Sequence, residues 1–216
     1  MTILSNSSSS QAVLVLPGWQ NSGPLHWQSR WEQAHAYRRV EQHDWDHPLR
    51  GDWITRLEDA VLAVPAGQPI TLVAHSLGCI LVAAWASISR STARVQAAFL
   101  VAPGDVENPT VRDQLPSWSP IARQKLPFKS LLVGSQNDPY CSFDKAQSLA
   151  VGWGAEFVDA GAAGHINSDS NLGDWPVGHA MLQGLQHSLQ QSRLQGQPGG
   201  AHCNLPVSTL YKMVTP

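Results

Sequence analysis

Short, unbroken apolar runs alternate with longer amphipathic stretches along most of the chain. Ala12-Val13-Leu14-Val15-Leu16 is apolar throughout and stops at Pro17-Gly18, which predicts a strand buried on both faces of a parallel sheet. Runs at 70–74, 95–102, 129–134 and 155–159 predict further strands, with a short one at 38–42. Between them, 25–36 carries Trp27, Trp31 and Ala34 at helical spacing. A second helix has Asp52 near its start, Trp53, Ile54, Leu57, Val61 and Leu62 on one face, and Pro65 shortly after its end. Helices are also expected over 79–86, 142–151 and 177–192, the last with Ala180, Met181, Leu182, Leu185 and Leu189 apolar. The segment 106–127 holds four prolines and little periodicity, so it is expected to be a loop with a short helix over one end of the sheet. Strand and helix alternate, which predicts an α/β fold: a mostly parallel, doubly wound sheet with helices on both faces.

A length of 216 residues suits one such domain and leaves no room for a large lid domain. The expected division is a Ser-rich N-terminal segment at 1–11, the α/β domain at 12–192, and a flexible C-terminal tail at 193–216, where the pattern fades among Gly and Pro. Net charge is −2, from 14 basic and 16 acidic residues, so neither nucleic acid nor an anionic membrane is an expected partner. Cys79, Cys141 and Cys203 lack C-x-x-C spacing, which argues against a disulfide framework or a structural zinc site. The start has neither a basic region nor an apolar run of a signal peptide, and no segment is apolar enough to span a membrane. A soluble cytoplasmic protein is therefore expected. Nine Trp residues are unusual for this length. Trp19, Trp45, Trp118 and Trp175 lie beside turn signals, as suits the rim of a cleft, and a Trp-rich core is the other reading.

Chemistry concentrates where strands end. The strand at 70–74 runs into His75-Ser76-Leu77-Gly78 and then a helical run. With Ala74 in the first glycine position this is a G-x-S-x-G pattern, in which small residues let strand and helix meet at a sharp turn that presents the Ser. Ser76 is thus a candidate nucleophile, with the Leu77 backbone N–H as an oxyanion donor. Asp138 follows Ser76 by 62 residues and His165 follows Asp138 by 27, each just beyond a strand. In that reading His165 is the base and Asp138 orients it, with Asp105 as the rival acid. His165 must be unprotonated to act, so activity is expected to fall in acid. His75 is rejected as the base because adjacent side chains diverge on a sharp turn. The loop 17–23 contributes Gly18, which lets the backbone approach, and the Trp19 N–H as a second oxyanion donor. Gly18, Asn21, Trp45 and Trp175 are the substrate-cleft candidates. His43 and His47 read as solvated surface rather than a metal site, and the 17–23 loop lacks nucleotide-binding spacing.

These pieces together resemble the YdeN-like, or retinoblastoma-binding protein nine, family of small serine hydrolases in the α/β-hydrolase superfamily. The matching segments are Pro17-Gly18-Trp19 with Asn21-Ser22, His26-Trp27-Gln28, Asp44-Trp45 with Pro48, Ala74 to Gly78, Ala102-Pro103 with Asp105, Asn137 to Tyr140, Gly164 to Asn167, and Trp175-Pro176. The resemblance implies a compact α/β-hydrolase fold and a triad of Ser76, Asp138 and His165. It implies a carboxylesterase-like serine hydrolase that cleaves small esters, or amides or thioesters, without cofactor or metal. A relative in that family binds the retinoblastoma protein through an L-x-C-x-E segment. Here Leu77-Gly78-Cys79-Ile80-Leu81 ends in Leu, so that partner is not expected and a small-molecule ester is. The alternative is a hydrolase fold without turnover that recognises a partner through a Trp-rich cleft.

Overall fold

A computed structural model describes residues 11–195. Its strands β1 (Ala12–Leu16), β2 (Arg38–Arg39), β3 (Ile70–Ser76), β4 (Val95–Pro103), β5 (Lys129–Gly134) and β6 (Glu156–Asp159) form one sheet in the order β2-β1-β3-β4-β5-β6. Every pairing is parallel. The helices are α1 (Trp27–His35), α2 (Arg50–Leu62), α3 (Leu77–Ala86), α4 (Pro109–Arg112), α5 (Phe143–Trp153) and α6 (Pro176–Gln195).

Because successive side chains of a strand point to opposite faces, the central strands feed two separate cores. On one face Leu14, Leu16, Leu72, Leu100 and Leu132 pack with residues of α2, α3 and α5. On the other, Val13, Val73, Phe99, Leu131 and Val133 pack with Trp27 and Trp31 of α1 and with Met181, Leu182 and Leu185 of α6. Burying one such side chain stabilises the fold by about 1.5–3 kcal/mol. A sheet covered on both faces explains why its strands are apolar without alternation.

The element order follows the hydrophobic pattern, with differences at edges. The strand expected over 38–42 pairs only at Arg38 and Arg39. Leu62, placed on the apolar face of α2, is the last residue of that helix and is 55% exposed. The segment 106–127 forms α4 and a 3-10 turn at Pro116–Trp118, and buries Leu115, Trp118, Ile121 and Leu126. The chain reverses direction in the sheet between β1 and β3, and at such a switch point the loops splay apart to leave a crevice at the strands' carboxyl ends. The Ser-rich start before Gln11 and the tail after Gln195 lie outside the described residues.

Candidate active site

Ser76 sits at the junction of β3 and α3 with φ 53° and ψ −119°, a region that costs a non-glycine residue about 1–3 kcal/mol. The neighbours make the junction possible. A Cβ on Gly78 would lie 2.3 Å from the Leu16 carbonyl oxygen, so α3 can start this close to β1 only with Gly there. A Cβ on Gly18 would lie 2.8 Å from the Ser76 Cβ. Leu77 is the first residue of α3, and an amide in the first turn has no acceptor within its own helix.

The loops after β5 and β6 bring the partners. His165 Nε2 lies 2.9 Å from Ser76 Oγ, and His165 Nδ1 lies 2.9 Å from both Asp138 carboxylate oxygens. A carboxylate only accepts, so Nδ1 carries the proton and Nε2 is free to accept from the Ser76 hydroxyl. The side chains of His165 and Asp138 are 8% and 3% exposed, which excludes competing water. Asn137 ties the two loops together: its Oδ1 accepts from the Gly164 N–H at 2.7 Å and the Ser135 hydroxyl at 3.0 Å. Asp105, the rival acid, instead faces Lys145 Nζ at 3.4 Å. His75 donates from Nε2 to the His165 carbonyl at 2.9 Å. It therefore braces the His165 backbone, and burial holds the His75 pKa well below the usual value.

A cavity of about 470 Å³ opens over Ser76. Gly18, Trp19, Asn21 and Leu77 line it, along with Asp105. Trp45 and Trp175 do not. Trp45 packs edge-on against Trp53 at 5.2 Å. Trp175 is 7% exposed and stacks on Trp31 in the core, lying over Gly178, where a Cβ would meet its ring at 2.2 Å. Of the nine Trp residues only Trp19 lines this cavity, so most of the Trp content belongs to the core. Val111 and Leu115 bring the 106–127 segment into the wall, and Tyr140 is a wall residue that sequence reasoning missed. Tyr140 meets the His165 ring edge-on at 4.6 Å; its place just after Asp138, in the same loop, was the available signal.

Cys141 follows Tyr140, and burial pushes its thiol pKa up to about 12, so it is not a reactive thiolate. Among the described residues no group of three His, Cys, Asp or Glu side chains is arranged to hold a metal ion. No helix among them is long and apolar enough to cross a membrane.

Solved structures of other proteins share this fold. A YdeN-like hydrolase from Pectobacterium atrosepticum superposes with a TM-score of 0.68 at 28% identity, covering 87% of this chain and 93% of its own. The ydeN gene product of B. subtilis superposes at 0.65 with 18% identity, over 82% of this chain and 100% of its own. Est1E from Butyrivibrio proteoclasticus, solved with ferulic acid bound, superposes at 0.60 with 14% identity, over 82% and 90%. The last two are similar in fold. A search of curated proteins finds no match. The family model described as serine hydrolase matches residues 13–184, a span that runs from β1 into α6 and includes Ser76, Asp138 and His165. The chain belongs to the serine hydrolase family.

Proposed function

We propose that the protein hydrolyses small carboxylic esters through an acyl-enzyme on Ser76. The observation that carries this reading is the continuous hydrogen-bonded chain from Ser76 Oγ through His165 to Asp138, with 2.9 Å at each step. His165 Nε2 takes the hydroxyl proton as Ser76 Oγ attacks the ester carbonyl. The carbonyl oxygen becomes an oxyanion held by the Trp19 and Leu77 backbone N–H groups, and Asp138 stabilises the imidazolium. Collapse of the tetrahedral intermediate expels the alcohol, which leaves with the proton returned by His165. Water, deprotonated by His165, then attacks the acyl-enzyme and releases the carboxylic acid and free Ser76. The cavity wall has no Lys or Arg side chain, which supports an uncharged substrate over a phosphorylated or carboxylated one.

The test is labelling with a fluorophosphonate probe alongside hydrolysis of p-nitrophenyl butyrate. Wild type is expected to label and turn over. Ser76→Ala is expected to do neither while keeping its melting temperature. Wild-type rates in Ser76→Ala would overturn the assignment.

A further inference from the structure

His26 lines the same cavity as Ser76 and His165, yet has no part in the hydrolysis just described. It caps α1, where its Nδ1 accepts the Gln28 backbone N–H at 3.2 Å. An imidazole nitrogen that accepts carries no proton, so in the neutral ring the proton is on Nε2. Burial, reinforced by the nearby His165 and Arg39, lowers the ring's pKa to about 3, and it stays neutral through the range where the enzyme would work. The residue is 4% exposed, and Nε2 has no hydrogen-bond partner among the described residues. The neighbouring His75 ring, 4.7 Å away and edge-on, has its own Nε2 committed to the His165 carbonyl.

The frame around this donor is rigid. The His26 N–H closes a turn onto the Gly23 carbonyl at 3.0 Å. Gln28 next to it accepts from the Ser22 hydroxyl and donates to the carbonyls of Leu16 and Val73, anchoring the start of α1 to β1 and β3. A buried N–H held this firmly without an acceptor is an unfavourable state that an incoming oxygen relieves and an alkyl chain does not.

We propose that His26 determines specificity: its Nε2–H donates to an uncharged ether, hydroxyl or carbonyl oxygen that the substrate carries beside the scissile ester. The preferred substrates are oxygen-bearing esters rather than plain alkyl ones. An uncharged acceptor fits because no Lys or Arg lines the wall. The inference rests on the esterase reading and deepens it.

Two isosteric pairs test it. p-Nitrophenyl methoxyacetate against butyrate places an oxygen in the acyl group; 2-methoxyethyl butyrate against butyl butyrate places it in the alcohol. Rates are divided by those of hydroxide-catalysed hydrolysis, which removes intrinsic reactivity. His26→Asn retains an acceptor for the Gln28 N–H and lacks the distal donor. His26→Gln carries an amide N–H near the Nε2 position and gives up the cap. In wild type, kcat/KM is expected to favour the oxygen-bearing member of at least one pair by about five- to ten-fold. That preference is lost in His26→Asn and largely kept in His26→Gln, whereas melting temperature falls more in His26→Gln. A role in packing alone would give the stability pattern without the substrate pattern. No preference in wild type, or an unchanged one in folded His26→Asn, overturns the role of His26. Fluorophosphonate labelling of wild type in the same series separates the two readings: labelling without preference overturns this inference alone, and no labelling overturns both.

Discussion

Asp105 and Asp138 both follow strands at the same end of the sheet, and spacing along the chain does not choose between them. Distance does: Asp138 presents both oxygens to His165 Nδ1 at 2.9 Å, whereas Asp105 faces Lys145 at 3.4 Å. Asp138→Asn should lower kcat by about a thousandfold or more, because an amide N–H can face Nδ1 only if the His165 proton moves to Nε2, the nitrogen that must accept from Ser76. Asp105→Asn should stay within about threefold, since it touches Lys145 rather than the base. Steady-state kinetics on both variants would check this, and comparable losses would sink the distinction. Ser76 and His165 were legible because small residues around Ser76 and glycines around His165 mark turns that present a side chain. Trp175 was misread for a physical reason. A Trp beside a turn can rotate toward cleft or core, and the ring that Trp175 stacks on, Trp31, lies on α1, remote in sequence.

Continuous apolar runs announced the central strands because a sheet buried on both faces tolerates little else. The segment 106–127 was opaque because its partners are remote. The Trp118 Nε1–H donates to the Pro48 carbonyl at 2.8 Å, and Trp153 Nε1–H reaches from α5 to the Ala122 carbonyl at 2.8 Å. A similar long-range tie joins α2 to the end of α3. Glu58 Oε2 accepts from Trp85 Nε1 and the Ser89 hydroxyl at 2.6 Å each, and Oε1 accepts from the Ser91 hydroxyl at 2.5 Å. Partial burial would raise its pKa, but these donors outweigh it and hold the carboxylate below its usual range. Glu58→Ala is expected to cost about 2 kcal/mol in urea denaturation, since it strands the Trp85 N–H, and Glu58→Gln less, because one acceptor oxygen remains. Ester turnover per folded molecule should not change in either. An unaltered denaturation midpoint in Glu58→Ala would show that water replaces the carboxylate without penalty.

For the whole molecule, the buried imidazoles set how folding responds to acid. Burial holds His26 down to about 3 and His75 well below its usual value, and lowers His179 as well. In the unfolded chain each would take up a proton near pH 6.5. Below that pH the unfolded state binds more protons than the folded one, so stability falls as pH falls, by up to about 1.4 kcal/mol per pH unit for each ring. Glu107 acts in a lower window. The Lys145 and Ile121 hydrogen bonds overcome its partial burial and hold its pKa below the usual 4.5, so its contribution is lost only as pH drops further through the folded value. The expected result is a melting temperature that is level from about pH 8 to about pH 7 and declines from about pH 6.5, ahead of the carboxylates. His26→Asn should make that decline shallower by one proton's worth, although its cap is retained. Turnover should also fall in acid because His165 must be neutral to accept the Ser76 proton. The two effects separate by measurement: the kinetic loss is complete within seconds and reverses on return to neutral pH, whereas the loss of stability appears in the melting curve of Ser76→Ala, which has no turnover. A melting temperature that stays level down to about pH 4.5 would mean that these rings open to solvent when protonated, and that the cavity wall around His26 is looser than its hydrogen bonds imply.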